Sequence, residues 1–355
     1  MSDFRSLLRP NIRDLQAYSS ARQEHAGEEG IFLDANENAL GSAARESLNR
    51  YPDPLQKKLK EEIARLKAVS AQQIFLGNGS DEAIDLLLRA FCEPGKDRIL
   101  IMPPTYGMYE VCAAINDVKV QRVLLRPDFE IDVASVLEAL EPRTKLLFIC
   151  SPNNPTGNVF QPDGIERLLR QFQGLTVLDE AYIDFAPDKS WLPRLSRWPN
   201  LVVLQTFSKA WGLADVRLGM AFAQPGIIEV LNKIKHPYNV NGVTQRLALQ
   251  ALANHRGKTR MVGEIIQERD RLQKGLAALD LVDRVYPSDA NFLLVKMHDA
   301  ASVFRRLLQK KIVVRNRSDQ PLCGDCLRIT VGTPEENRRL LHALKEIDIS
   351  PEQTE

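Results

Sequence analysis

The sequence has 355 residues, of which 44% are hydrophobic and 26% are charged, with 47 lysines and arginines against 46 aspartates and glutamates. This composition is typical of a soluble globular protein, and the length predicts a large domain with a smaller partner rather than one small core. A formal net charge of +1 gives no electrostatic basis for binding nucleic acid or a membrane surface. We therefore expect neither as a partner.

The N-terminal segment mixes acids, bases and proline within residues 1–14 and contains no apolar run of signal-peptide length. No segment of the chain approaches the roughly 18 apolar residues that a membrane-spanning helix requires. These two features predict a cytoplasmic protein. Residues 1–45 are interpreted as an N-terminal arm that also contributes to a small domain, and residues 31–34 within it are a candidate strand of the main sheet.

Apolar runs alternate with helix-like stretches between residues 46 and 275. The runs are nearly all apolar, as in strands that are buried on both faces of a parallel sheet. The intervening stretches are long enough for helical crossovers, so the pattern predicts an α/β domain with a mostly parallel central sheet. The runs lie at residues 99–102, 120–125, 146–150, 176–178, 201–206 and 220–223.

Residues 276–355 predict a smaller α+β domain, because helical patterns there alternate with fewer strands. The helical patterns lie at residues 264–279, 301–310 and 335–347, and the apolar runs at 292–295, 312–314 and 327–331.

The cysteines and histidines do not form a metal-binding pattern. Cys323 and Cys326 form a lone C-x-x-C pair, and no second pair or histidine cluster accompanies it. The spacing favours two thiols at a turn that enters a strand, and the odd total of five cysteines argues against a disulfide framework. We expect no metal.

Polar motifs follow the apolar runs, at the strand ends where open α/β sheets bind ligands. NPTG alone is a good turn sequence, an aspartate after a strand is often a helix N-cap, and a tyrosine beside prolines usually packs in the core. The occurrence of all the motifs at strand or helix ends of one domain favours one shared site. The motifs are GNGSDE at 77–82, PPTYG at 103–107, SPNNPTG at 151–157, DEAY at 179–182 and FSKA at 207–210.

Together these motifs supply the groups that pyridoxal phosphate requires. The cofactor needs a lysine for a Schiff base and a carboxylate that keeps its pyridine nitrogen protonated. It also needs donors for its phenolate oxygen, an aromatic face for its ring, and a helix N-terminus with serine and arginine for its phosphate.

In this order the motifs resemble those of fold-type I aminotransferases, and more narrowly those of the histidinol-phosphate aminotransferase family. The resemblance extends over nearly the whole chain, from RPNI at 9–12, AYSSAR at 17–22, LDANEN at 33–38 and NRYPD at 49–53 to VRN at 314–316 and LRITVGT at 327–333. It implies the fold of that class, pyridoxal 5'-phosphate as cofactor, and reversible transamination between L-histidinol phosphate and 2-oxoglutarate, which gives imidazole acetol phosphate and L-glutamate.

The resemblance also implies roles for individual residues around the cofactor ring. Lys209 would bind the cofactor covalently and then act as general acid and base. Asp179 would pair with the pyridine nitrogen, and Tyr106 would stack on the ring. Asn154 and Tyr182 would contact the phenolate oxygen.

Further roles concern the cofactor phosphate and the substrates. Tyr51 would reach the phosphate from a neighbouring subunit, which implies a homodimer with shared active sites. Arg328 would bind the carboxylate of glutamate or 2-oxoglutarate, a task that suits the planar guanidinium. Within the same subunit, the groups that hold the cofactor phosphate would be Ser80, Asp81, Ser208 and Arg217. The groups that contact the phosphorylated substrate would be Tyr18 and Arg315, and Asn36 would also bind substrate.

Two residues depart from the family pattern, and other functions share its motifs. Asp215 stands where the family usually has a small residue, and we expect it to point to solvent; Trp211 stands where phenylalanine is commoner. Aromatic-amino-acid aminotransferases and threonine-phosphate decarboxylases remain alternatives. A binding module without catalysis is a third, against which the presence of Lys209 and Asp179 argues.

Overall fold

The computed structural model describes residues 4–18 and 30–349, and its strands form two separate sheets. The N-terminal arm begins with a 3-10 helix at Phe4–Leu7 and a short α-helix, α1 (Pro10–Arg13). Residues 19–22 of the family-like segment in this arm lie outside the described residues. Among the described helices, none is long and apolar enough to cross a membrane.

The prediction of a strand at residues 31–34 is wrong. Ile31 and Leu33 are 92% and 85% exposed, and no strand pairs with this segment within the described chain. Hydrogen bonds to a side chain, rather than pairing with a neighbouring strand, hold this part of the chain in place. Glu37 accepts hydrogen bonds of 2.6 Å from the guanidinium of Arg50 and from the N–H of Tyr51.

The large sheet has the strand order β1-β7-β6-β5-β4-β2-β3. All its described strands run in one direction except β7, which is antiparallel to both β1 and β6. The mostly parallel sheet is therefore confirmed. Its strands are β1 (Ile74–Asn78), β2 (Arg98–Ile101), β3 (Lys119–Arg122), β4 (Thr144–Cys150), β5 (Leu175–Asp179), β6 (Leu201–Thr206) and β7 (Leu218–Phe222).

Helices cover both faces of this sheet, and alternate residues of each strand enter separate cores. In β4, Leu147 and Ile149 pack in the cluster on one face, whereas Leu146 and Phe148 pack in the cluster on the other. This is the two-residue period of a strand buried on both sides. The helices are α2 (Lys57–Lys67), α3 (Gly79–Phe91), α4 (Met108–Ile115), α5 (Val133–Ala139), α6 (Pro162–Gln171), α7 (Pro225–Ile234), α8 (Gly242–Ala253) and α9 (His255–Leu276).

The second sheet confirms the smaller α+β unit. It is antiparallel, with the order β10-β11-β9-β8. Its strands are β8 (Val282–Val285), β9 (Phe292–Met297), β10 (Arg315–Asn316) and β11 (Cys326–Thr330), and its helices are α10 (Ala300–Gln309) and α11 (Pro334–Ile349).

Two details of the second sheet differ from the sequence-based expectation. Residues 312–314 form no strand, and pairing begins only at Arg315. The predicted domain boundary at residue 275 lies one residue before the end of α9. The two boundaries between the predicted domains, at residues 45/46 and 275/276, stay a prediction.

Candidate active site

A cleft lies at the carboxyl ends of β4, β5 and β6. The parallel direction of these strands brings their following loops to one edge of the sheet. The cleft is lined by Gly79, Ser80, Asp81, Tyr106, Cys150, Asn154, Asp179, Ala181, Tyr182, Thr206, Ser208, Lys209 and Arg217. Every residue predicted to hold the cofactor within one subunit is therefore in this lining.

Lys209 lies in the loop after β6, at the mouth of the cleft. Its Nζ is 5.5 Å from the centroid of the Tyr182 ring. The side chain keeps contact with solvent, but the surrounding walls remove enough water to lower its pKa, and the positive charge of Arg328 lowers the pKa further. A lowered pKa is what an amine nucleophile or base requires at neutral pH.

Asp179 ends β5 and is only 2% exposed. Burial raises the pKa of its carboxyl to about 6, and hydrogen bonds oppose that rise. The donors are the hydroxyl of Tyr109 at 2.8 Å and the N–H of Ala181 at 3.1 Å. A cationic N–H donor in the cleft would stabilise the charged form of this carboxylate.

Tyr109 is not among the predicted site residues, although it holds Asp179. It is fully buried on α4 and stacks on Phe148 with ring centroids 4.7 Å apart. Tyr106 meets it edge to face at 5.5 Å. The signal that could have identified Tyr109 is its position three residues after Tyr106, just after the PPTYG motif and within the first turn of α4.

A second set of contacts connects the two sheets across the cleft. Arg328 on β11 donates a 2.5 Å hydrogen bond to Oδ1 of Asn154, which is 6% exposed. Its guanidinium also lies 5.4 Å from the ring centroid of Phe292, and that ring meets Tyr182 edge to face at 5.0 Å. Arg328 is thus placed beside Asn154 and Tyr182, and burial lowers its pKa.

The N-terminus of α3 forms a cradle suited to an anion. Gly79 has a φ of +72°, and a Cβ on Gly219 would lie 2.1 Å from the backbone nitrogen of Ser80, so only glycine permits this close approach. The side chain of Asn78 donates elsewhere and does not cap the helix. Free N–H groups at a helix start attract phosphate.

Arg217 and Ser208 complete this cradle. Arg217 has a left-handed φ of 53°, and its Nη2 lies against the start of α3, where it would be 2.7 Å from a Cβ on Gly79. Its Nη1 lies 3.5 Å from Ser208 Oγ, and its Nη2 lies 3.6 Å from Asp81. Asp81 in turn accepts a 3.0 Å hydrogen bond from Tyr106. These residues fit the phosphate of the predicted cofactor.

Other predicted site residues lie outside this cleft in the described chain. Tyr51 is 50% exposed, stacks on Tyr238 with centroids 4.4 Å apart, and lines a separate surface cleft with Asn36. Tyr18 is 74% exposed. Arg315 is exposed at the start of β10, directly opposite Arg328.

The two departures from the family pattern lie at different depths. Asp215 is exposed, as expected. Trp211 is buried, and the amine of Lys258 lies 5.1 Å from its ring centroid.

The cysteine pair is buried where a turn enters β11, with Cys326 as the first residue of the strand. Cys323 and Cys326 are free thiols with no exposed surface, and burial raises their pKa values to about 12 and about 11. No group of three or more metal-ligating side chains is found in the part of the chain that the structure describes.

Comparisons with known proteins agree with this geometry. Residues 24–344 match the sequence model of the family described as aminotransferase class I and II. The chain is 56% identical to the histidinol-phosphate aminotransferase of Cytophaga hutchinsonii over 340 residues. This alignment covers 96% of this chain and 98% of that protein. It is 53% identical to the protein of the same name from Parabacteroides distasonis, over 98% of this chain and 100% of that one.

The fold also matches a solved structure. The histidinol-phosphate aminotransferase of Sinorhizobium meliloti, crystallised in complex with pyridoxal-5'-phosphate, superimposes with a TM-score of 0.77 at 25% identity. The match covers 96% of this chain and 97% of that chain. The family match and the alignments with the two highly similar relatives each span nearly the full length of this chain. The chain therefore belongs to the aminotransferase class I and II family.

Proposed function

We propose that this protein is a histidinol-phosphate aminotransferase that uses pyridoxal 5'-phosphate to exchange an amino group between L-histidinol phosphate and 2-oxoglutarate. The products are imidazole acetol phosphate and L-glutamate, and the reaction is reversible. The observation that carries the proposal is the single cleft that contains Lys209, Asp179 and the start of α3. The names of relatives that are 56% and 53% identical over nearly the full length support the substrate.

The residues of the cleft would divide the work of holding the cofactor. When bound, pyridoxal phosphate supplies an electron sink for the electron pair left at the α-carbon of the substrate. Asp179 would keep the pyridine nitrogen protonated, and Asn154 and Tyr182 would face the phenolate oxygen. Tyr106 would cover the ring. The phosphate would lie against the residues Ser80, Asp81, Ser208 and Arg217.

Lys209 would move the proton of the reaction. Its lowered pKa increases the fraction of neutral amine near neutral pH, and only the neutral amine can accept the proton of the substrate's α-carbon. The charge of Arg328 contributes to that shift. The same arginine would bind the carboxylate of glutamate, so it would have two effects at once.

The substrate phosphate and the second subunit would involve the remaining predicted residues. Arg315 lies beside Arg328 on the neighbouring strand and would receive the phosphate of histidinol phosphate together with Tyr18 and Asn36. The exposed Tyr51 would reach the cofactor phosphate of a neighbouring subunit in a homodimer. We further propose that the protein acts in the cytoplasm.

The test is the visible absorption spectrum of the purified protein before and after addition of histidinol phosphate. We expect a yellow protein that loses its band with histidinol phosphate and regains it with 2-oxoglutarate. A yellow protein that responds to phenylalanine but not to histidinol phosphate would favour an aromatic-amino-acid aminotransferase. Release of carbon dioxide from phosphothreonine would favour the decarboxylase. A colourless protein that cannot be reconstituted would overturn the proposal.

A further inference from the structure

Three arginines share one face of the small sheet, beside the cleft. Arg315 on β10 pairs directly with Arg328 on β11, and the ladder continues because the N–H of Arg317 donates a 2.9 Å hydrogen bond to Cys326. Alternate residues of a strand point to the same face. Arg317 therefore lies on the face of Arg315 and Arg328.

This shared face is directed away from the core of the small sheet. Leu327 and Ile329, the neighbours of Arg328, pack in the small-sheet core. Cys326, on the same face as Arg328, packs instead with the large-sheet cluster. The arginine face thus looks toward the large sheet and its cleft.

The three positive charges are close enough to act on one another. Burial lowers the pKa of Arg317, and the charges of Arg328 and Arg315 lower it further, against a smaller opposite effect of the exposed Asp319. Like charges directly opposite each other on adjacent strands are destabilising. Within residues 4–18 and 30–349, none of the three arginines has a carboxylate partner within 4 Å. An anion would relieve this repulsion.

Arg317 also has a buried donor without a partner. Its Nε is shielded from solvent and makes no hydrogen bond to any described residue. An unpaired buried donor is costly, and for a charged group more so. Arg317 lies on the same face as Arg328, which donates a hydrogen bond to Asn154 in the lining of the cleft, so this face adjoins the position of a bound substrate.

We propose that Arg317, to which the family resemblance assigns no role, binds the phosphate of the substrate together with Arg315 and determines the preference for phosphorylated amines. The inference rests on the proposed function, because it concerns the same substrate. Arg328 alone suffices for a carboxylate. A phosphomonoester carries −1.5 to −2 charges at pH 7 and three acceptor oxygens, and so matches additional guanidinium groups.

The kinetic test compares the wild-type holoenzyme with Arg317→Gln. We expect the variant to raise the KM for histidinol phosphate by about tenfold or more, with a much smaller change for unphosphorylated histidinol and for glutamate, because only one substrate loses a charge-assisted contact. The matched control is Arg305→Gln, which changes an exposed arginine on α10 and should behave as wild type.

A binding test requires no turnover. Inorganic phosphate is titrated calorimetrically into the holoenzyme, in which the cofactor occupies the α3 cradle. We expect Arg317→Gln to weaken phosphate binding by about tenfold. In the wild type, binding should weaken between pH 8 and pH 5, because inorganic phosphate takes up a proton and loses a negative charge over this range, whereas arginine stays charged.

The outcomes separate a binding role from a structural one. An equal loss of kcat/KM for all substrates, together with a lowered melting temperature, would show that Arg317 only supports the β10–β11 connection. This result would overturn the inference. If Arg317→Gln does not fold, Arg317→Lys replaces it. Lysine keeps the charge but lacks the planar fork, so a selective rise in the histidinol phosphate KM supports the inference and an unchanged KM overturns it.

The same experiments distinguish this inference from the proposed function. A wild-type enzyme that rejects histidinol phosphate, but whose phosphate binding depends on Arg317, would refute the function and retain the anion-binding role. A wild-type enzyme that uses histidinol phosphate, with a variant of unchanged substrate preference and phosphate affinity, would retain the function and refute the inference.

Discussion

Tyr109 donates a 2.8 Å hydrogen bond to Oδ2 of Asp179, and both side chains are almost completely buried. The bond lowers the pKa of Asp179, against the larger upward effect of burial. Tyr109→Phe should therefore raise this pKa and move the acidic limb of the kcat/KM pH profile upward, by about one unit at most. Tyr286→Phe removes a hydroxyl that does not contact Asp179 and should leave the profile in place. An unmoved limb in Tyr109→Phe would refute the role.

The close packing of Gly219 against the start of α3 predicts a selective loss of cofactor affinity. A methyl group at residue 219 would lie 2.1 Å from the backbone nitrogen of Ser80, so Gly219→Ala must displace the N–H groups that we propose to bind the cofactor phosphate. We expect at least a tenfold weaker affinity for pyridoxal phosphate by fluorescence titration of the cofactor-free protein.

Gly263→Ala is the matched control for this substitution. Gly263 lies within α9, and a Cβ there would have no neighbour within 4 Å. Alanine favours the helix by about 0.5–1 kcal/mol, so this variant should be as stable as the wild type or more stable and bind the cofactor normally. Equal cofactor affinity in the two variants would contradict the proposed cradle.

The buried carboxyl of Glu180 should make the free energy of unfolding depend on pH. Burial raises its pKa from 4.5 to about 7, although Ser190, Trp191 and Gln205 donate hydrogen bonds to it. Because the folded state binds this proton more tightly than the unfolded state, the protonated carboxyl contributes to the free energy of unfolding. That contribution is complete below the unfolded pKa near 4.5 and is lost as the pH rises through about 7. The loss amounts to a few kcal/mol at most, at about 1.4 kcal/mol per pKa unit.

Glu180→Gln should remove this dependence. The buried Oε1 of Gln205 has no partner among the described residues, so a rotated Gln205 amide can pair with the new glutamine. Denaturant unfolding should find the variant more stable than the wild type at pH 8, with the difference shrinking toward pH 5. Glu138→Gln, at an exposed residue of α5, is the control. A difference that stays constant with pH would contradict the prediction.

Arg328 should influence both a substrate and the catalytic amine. Arg328→Ala should raise the KM for glutamate by about 10- to 100-fold, because a charge-assisted contact is lost. It should also raise the pKa of Lys209, whose depression the charge of Arg328 supports. A titration of the visible cofactor band measures that shift. Arg328→Lys keeps the charge but not the planar guanidinium. Its Lys209 pKa should therefore be close to that of the wild type, whereas its KM for glutamate should stay raised.

Mixed subunits test the proposed role of Tyr51. Lys209→Ala should lose nearly all turnover yet remain folded, and Tyr51→Ala should lose cofactor affinity. If Tyr51 serves the other subunit, a hybrid dimer contains one complete site. Unfolding and refolding equal amounts of the two variants together should then recover about a quarter of the wild-type activity. No recovery beyond the sum of the separate variants would refute the shared site.

The sequence predicted the cleft well because its residues follow buried parallel strands. Asp179 ends β5, and Lys209 follows β6 by three residues. Sheet geometry alone places such positions at one edge. The burial of these strands on both faces was visible as nearly uniform apolar runs.

Other features depend on contacts that no local pattern records. Residues 31–34 have the apolar character of a strand but pair with no strand among the residues that the structure describes. β8 was not predicted because Val282 and Val285 are its only apolar residues. The contact of Tyr109 with Asp179 joins residues far apart in sequence, so only the folded chain reveals it. The same holds for Arg317 beside Arg328.

The order of the large sheet has a consequence for the biosynthesis of the protein. β1 is an edge strand whose ladder partner is β7, and the N–H of Gly79 donates to the carbonyl of Arg217. Chains emerge from the ribosome from the N-terminus onward, so α3 is made long before the strand that closes its cradle. The anion cradle can therefore assemble only after β7 has emerged, and a nascent chain that ends before β7 cannot complete this cradle.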